Sequence, residues 1–226
     1  MLIRDMFGML NATPKAVLFD WDGTLVNSWP IIHESMNQTL KAMGHAEWTI
    51  EETNERVRRS LREAFPLLFG NRWQEARDIF YAAYRAVHLE RIAKKEGAEE
   101  LIRVLFGLGV CLGVVSNKSG GHLRAESKIL GWDRYFEGRL VGATDARRDK
   151  PSTDPIYMAL TGSGISPGSD VWFVGDTWVD MACGRAANCH TILIGESVPD
   201  DPEFADHPPD EYFLNCRALM EVVRNF

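Results

Sequence analysis

Residues 17–28 read Val-Leu-Phe-Asp-Trp-Asp-Gly-Thr-Leu-Val-Asn-Ser, and this stretch constrains the fold more than any other. The run from Lys15 to Phe19 is short and, after the lysine, wholly apolar, the pattern of a strand buried in a parallel sheet. It stops at Asp20, with Asp22 and Gly23 close behind. Side chains alternate along a strand, but the glycine marks a turn, so both carboxylates can converge beyond the strand end. Ligands of open parallel α/β sheets bind there. Two carboxylates held close repel, and they need a cation, a shared proton or separate chemical roles. A divalent metal meets that need and leaves one Asp free to act as a nucleophile.

The rest of the chain reads as scaffolding for that point. From Ala98 onward, helix-period segments at 99–108, 121–130, 155–162, 180–187 and 216–226 alternate with apolar runs at 110–115, 138–142, 170–174 and 191–194. A shorter apolar piece lies at 212–214, after an exposed loop rich in Pro, Asp and Glu at 196–211. Repeated βα units predict a doubly wound parallel sheet with right-handed crossovers. Residues 30–93 have another character, with helical periodicity and no strand signal. Ile31, Ile32, Ser35, Met36, Thr39, Leu40 and Met43 recur at spacings of three and four before Gly44. Thr49 and Glu52 form a capping box for a helix running to about Arg59. An apolar patch from Leu61 to Phe69 is interrupted by Pro66, and a longer helix is predicted over Trp73–Arg91.

Three later stretches also carry chemistry, two of them at strand ends. Val114-Val115 leads into Ser116-Asn117-Lys118, where a hydroxyl and backbone amides can donate to the oxygens of an anion. Lys118 itself is expected to be solvated, as are Arg147 and Arg148. In Asp149-Lys150-Pro151, the proline holds Lys150 in an extended loop, where its ammonium can neutralise a carboxylate and an anionic ligand. Val171–Val174 runs into Gly175-Asp176-Thr177, with Asp180 four residues beyond Asp176. A helix beginning near Asp176 would put both carboxylates on one side, matched to a hard, oxygen-liking ion such as Mg²⁺.

Asp-x-Asp-Gly-Thr after an apolar strand resembles the first motif of the haloacid dehalogenase-like (HAD) phosphohydrolases. Ser116 resembles their second motif, Lys-Pro-x-x-x-Pro from Lys150 the third, and Gly175-Asp176-Thr177 with Asp180 the fourth. Ala186-Ala187-Asn188-Cys189 continues that motif, with Asn188 where family members commonly have Gly; Asn tolerates the left-handed conformation. The chain looks most like the phosphoglycolate phosphatase branch, over about residues 15–195.

The resemblance implies an α/β fold with a HAD-like Rossmannoid parallel sheet flanked by helices. Residues 1–29 and 94–226 would form the catalytic core. Residues 30–93 would form a small all-helical cap, hinged near 28–30 and 94–97. It further implies Asp20 as nucleophile and Asp22 as general acid and then base. Lys150 would be the catalytic cation, with Ser116, Asn117, Gly23 and Thr24 at the substrate. Mg²⁺ would be held by the Asp20 carboxylate, the Asp22 carbonyl and Asp176, supported by Asp180. Substrate choice would lie in the cap, where Arg62, with Arg58 and Arg59, can meet a substrate carboxylate; ion pairs with Glu55 and Glu63 are the alternative.

The expected activity is hydrolysis of a small phosphorylated metabolite, phosphoglycolate-like. A β-phosphoglucomutase-like mutase shares every core motif and stays open. A non-catalytic binding protein of this fold would be expected to lose Asp20 or Lys150, and a haloacid dehalogenase to lack Asp22.

Composition bounds the remaining classes. The chain has 226 residues, enough for one large domain with an insertion. A net charge of −7 with no basic stripe argues against a nucleic-acid partner. Four widely spaced cysteines with no Cys-x-x-Cys suit reduced thiols in the cytoplasm. No run is long enough for a membrane-spanning helix, and Met1–Leu10, within an extension ending at Pro14, does not resemble a signal peptide. A monomer or a homodimer fits equally.

Overall fold

The computed structural model describes residues 12–226. The predicted N-terminal extension and the reading of Met1–Leu10 therefore lie largely outside the described residues. A six-stranded, all-parallel sheet forms the centre, in the order β5-β4-β1-β6-β7-β8. Its strands are β1 (Ala16–Phe19), β4 (Cys111–Ser119), β5 (Leu140–Ala143), β6 (Val171–Gly175), β7 (His190–Ile194) and β8 (Glu211–Phe213). The alternation of β1 explains how its short apolar run is buried twice. Val17 and Phe19 enter one apolar layer with Leu101, Leu105 and Leu219, while Ala16 and Leu18 enter the other with Ile156, Ala159 and Cys183.

Helices α5 (Ala98–Gly107), α6 (Gly120–Leu130), α7 (Asp133–Phe136), α8 (Asp154–Leu160), α9 (Trp178–Ala186) and α10 (Cys216–Val223) flank the sheet. Because β1 lies between β4 and β6, the strand order reverses around it, and a cleft opens beyond its carboxyl end.

Between β1 and α5 the chain builds the helical segment: α1 (Trp29–Ala42), α2 (Ile50–Arg56), α3 (Leu61–Phe69), a 3-10 turn (Gly70–Arg72) and α4 (Trp73–Arg91). Met36, Leu40, Phe65, Phe69, Phe80 and Tyr84 bury one another in an apolar cluster of their own. Each such side chain contributes about 1.5–3 kcal/mol of transfer free energy. Two short strands, β2 (Val26–Asn27) and β3 (Ala93–Lys94), pair antiparallel and clasp the two ends of this segment.

Several boundaries differ from the sequence reading. The helix capped by Thr49 ends at Arg56 rather than near Arg59. The 61–69 patch is a continuous helix that contains Pro66, which removes one backbone N–H but does not break it. The strand expected at 110–115 runs on to Ser119, with a register irregularity between Val115 and Ser119. That irregularity is where the second motif sits.

Candidate active site

The ends of β1, β4 and β6 and the loop before α8 meet at one point. Lys150 Nζ donates to Asp20 Oδ1 at 2.7 Å and to Asp180 Oδ1 at 2.7 Å, and all three side chains are buried. Burial alone would lower the Lys150 pKa, but the charges of Asp180 and Asp20 outweigh it and hold the ammonium protonated. The lysine is aimed by its backbone: Lys150 N–H donates to Asn117 Oδ1 at 3.0 Å, and Asn117 Nδ2 donates back to the Lys150 carbonyl at 3.2 Å. Asn117 therefore lines the cleft while its amide holds Lys150.

Asp176 stands beside this pair. A carboxylate oxygen from each of Asp20, Asp176 and Asp180 lies within 4.8 Å of the others. Thr24 Oγ1 donates to Asp176 Oδ1 at 3.0 Å, which places the buried Thr24 against this carboxylate. Gly23, at φ +89°, permits the approach, since a Cβ there would collide with the Asp176 carboxylate. Asp180 is not held by an i,i+4 relation inside one helix. Asp176 precedes α9, and Asp180 is at its third position, where its Oδ2 accepts from Thr177 N at 3.0 Å and from Thr177 Oγ1 at 2.6 Å. The capping box turns the other oxygen of Asp180 toward Lys150.

Burial pushes Asp20 up to about 7, reinforced by the charge of Asp180 and opposed by Lys150. Asp176 is also raised, by burial and then by the charges of Asp20 and Asp180. Three carboxylates, two buried and Asp176 half-buried, with one ammonium are short of positive charge, which is the donor set of a hard divalent cation.

Lys118 departs from the sequence reading. It is not solvated: its side chain is 5% exposed, and its Nζ lies 2.7 Å from Asp22 Oδ1 and 2.9 Å from Glu126 Oε2. Glu126 is fully buried. It accepts from Trp21 Nε1 at 2.7 Å and from Tyr84 Oη at 2.8 Å, with His88 Nδ1 at 2.8 Å. Burial opposes ionisation of Glu126, but the Lys118 charge and these donors drive its pKa down to about 2. Asp22 also accepts from Ser28 Oγ. The acid–base candidate of the first motif is thus fixed by an ammonium that also serves α4. No sequence pattern links Lys118, Glu126 and Tyr84, which come from three elements.

Ser116 is buried at the cleft floor. Arg62 is not brought to the cleft. Its Nε pairs with Asp149 Oδ2 at 2.6 Å and its Nη2 donates to Asp149 Oδ1 at 2.8 Å, because Asp149 is almost fully buried beside Lys150 and requires a cation. Arg58 and Arg59 do line the cleft. Neither pairs with Glu55; Arg58 lies 3.5 Å from Glu203 and Arg59 stacks over Trp178. The cleft encloses about 910 Å³ of empty space, its solvent mouth included. Asn188 takes the left-handed conformation, at φ +57°.

Carboxylates and a buried ammonium at adjoining strand ends, roofed by helices inserted after the first strand, define a hydrolase of the Rossmannoid α/β class. The family model for haloacid dehalogenase-like hydrolases matches residues 17–194, and the chain belongs to that family. Among curated relatives, it is 28% identical over 211 residues to pyrophosphatase PpaX of Listeria welshimeri, covering 92% of this chain and 96% of that protein. It is 26% identical over 215 residues to pyrophosphatase PpaX of Bacillus pumilus, covering 95% and 99%. Among solved structures, a predicted phosphoglycolate phosphatase from Haemophilus somnus superposes with TM-score 0.82 at 22% identity, covering 94% of this chain and 99% of that one. A HAD-superfamily hydrolase from Ehrlichia chaffeensis gives 0.64 at 26% identity, covering 94% and 97%. Among the described residues, no helix is long and apolar enough to cross a membrane.

Proposed function

We propose that the protein is a Mg²⁺-dependent phosphatase that hydrolyses a small phosphomonoester through an aspartyl-phosphate on Asp20. The observation that carries this reading is the meeting of Lys150 with Asp20 and Asp180, within reach of Asp176. An Asp20 oxygen attacks phosphorus, the ester P–O bond breaks, and Asp22 gives its proton to the departing alkoxide. Asp22 then accepts a proton from water as the water oxygen attacks phosphorus. The bond to Asp20 breaks, releasing phosphate and restoring the carboxylate. Lys150 compensates charge on Asp20 and on the transferring group, and Ser116 offers its hydroxyl to a phosphoryl oxygen.

Asp20, Asp176 and the Asp22 carbonyl would hold Mg²⁺, with Asp180 in support. The ion would supply charge neutralisation for the phosphoryl oxygens. Residues 30–93 act as a cap that closes the cleft and chooses the leaving group. The free cysteines, three of them buried, suit a cytoplasmic location, which is part of the same reading. The names of the PpaX relatives make pyrophosphate the second substrate to test.

The test is phosphate release across small phosphomonoesters and pyrophosphate, with Mg²⁺, with EDTA, and with Asp20→Asn. Turnover that needs both Mg²⁺ and Asp20 is expected. Turnover that survives Asp20→Asn contradicts the mechanism, and recovery of an isomerised phosphosugar instead of phosphate makes the enzyme a mutase.

A further inference from the structure

We propose that the alcohol released by this enzyme is an uncharged, apolar carbon body, neither a carboxylate-bearing nor a phosphate-bearing group; this rests on the phosphatase reading. Two observations point to it, one on the wall of the cleft and one on its cations.

The wall is α3. Phe65 and Phe69 turn into the core of the helical segment and are buried there. Leu61, Ala64 and Leu68 follow one another at spacings of three and four, so they share another face. Leu61, Ala64 and Leu68 are only partly buried, and with Val57 and Trp29 they line the cleft that also holds Asp20 and Lys150. A helix apolar on two faces needs something apolar against each. The core of the helical segment covers the second face in part, and what it leaves uncovered lines the cleft.

The cations are otherwise engaged. A leaving group carrying a carboxylate or phosphate loses its hydration in such a cleft and needs a cation or several donors in return. Arg62 is turned away onto Asp149 at 2.6 Å, and Arg58 lies 3.5 Å from Glu203. Lys118 sits between Asp22 and Glu126, and Lys150 between Asp20 and Asp180. His122 lines the cleft but is held neutral, because burial and the nearby His88 lower its pKa to about 4. Arg59 is the remaining cation of the lining, and its guanidinium lies over the Trp178 ring, 5.9 Å from the centroid. That arginine is exposed and already stacked on an indole, so it neither replaces the hydration of a carboxylate nor balances a phosphate, whereas the α3 wall gains from every methylene it covers.

The test is kcat/KM for n-alkyl monophosphates from ethyl to hexyl, whose leaving alcohols have nearly equal acidity, with phosphoglycolate and pyrophosphate as comparators. Each added methylene should raise kcat/KM about threefold to fourfold until the wall is covered. Leu68→Asp, checked for folding by circular dichroism, should reduce that rise to less than twofold per methylene. The wild-type series is decisive even if the variant does not fold. A flat series, or faster turnover of phosphoglycolate or pyrophosphate than of hexyl phosphate, overturns the inference while Asp20-dependent hydrolysis leaves the phosphatase reading standing. No Asp20-dependent release from any of these compounds overturns both.

Discussion

At the scale of single residues, the site is a deliberate imbalance of charge. Asp20 and Asp176 both have pKa values above the ordinary 3.8, chiefly through burial. A carboxyl raised on folding contributes most to stability below its unfolded value, and the contribution is lost as pH rises through the folded one. The metal-free protein should therefore lose stability between about pH 4 and pH 7 on account of Asp20, and the raised Asp176 adds a loss of the same sign. Asp176→Asn removes one charge and keeps an acceptor for Thr24. Its metal-free form should melt above the parent at pH 8, on the order of 2–4 °C for each kcal/mol of relief. The gap should close near pH 4. Mg²⁺ should raise the parent's melting temperature and leave the variant's almost unchanged, as differential scanning fluorimetry would show; an equal Mg²⁺ response in both would remove Asp176 from the ligand set.

Glu126 is the opposite case, a buried carboxylate with ample donors. Glu126→Ala leaves Lys118 with Asp22 as its carboxylate partner and the Trp21 and Tyr84 donors without their acceptor, and should cost about 3–5 kcal/mol in urea denaturation. Glu126→Gln keeps an acceptor and should cost less; equal losses would mean that packing alone matters here. Asp20, Asp22, Lys150 and Asp176 could be singled out in the sequence because each ends an apolar run or sits in a proline-held loop. Lys118 could not. An isolated lysine after Ser-Asn looks like solvated loop chemistry, and only the fold shows that Asp22 and Glu126 flank it.

At the scale of elements, α3 changes the reading of Arg62. The arginine joins α3 to the loop that delivers Lys150, and its partner Asp149 has a side chain 1% exposed. Arg62→Ala leaves a buried carboxylate without its cation and should cost about 1–3 kcal/mol of stability. Because Asp149 adjoins Lys150, kcat should fall more than KM. An unchanged melting temperature with a rise in KM confined to anionic esters would restore Arg62 as a substrate contact.

Long or capped elements were legible before the fold. The 19-residue helix Trp73–Arg91 was read to the residue from its periodicity, and the Thr49–Glu52 box forms with Glu52 N donating to Thr49 Oγ1 at 3.2 Å. The β2–β3 pair was not legible, since two-residue strands carry no period. Nor was α3 as a continuous helix, because proline inside a nine-residue run argues for a break.

For the whole molecule, the parallel sheet and its flanking helices followed from the alternation of strand and helix signals, and membership of the hydrolase family agrees with the motif resemblance. What one dimension concealed is the contact between the helical segment and the sheet. Tyr84 and His88 meet Glu126 from 42 and 38 residues away, and Arg62 meets Asp149 from 87. Such pairs create no local pattern, yet they decide which cations remain for a substrate.

The central claim is that phosphate leaves through Asp20. Rapid acid quench of the enzyme turning over a radiolabelled phosphomonoester with Mg²⁺, followed by peptide mapping, tests it most directly. A hydroxylamine-labile phosphoryl group is expected on the peptide containing Asp20, absent with EDTA and absent in Asp20→Asn. Full turnover with no label on that peptide, or label that persists in Asp20→Asn, would contradict it.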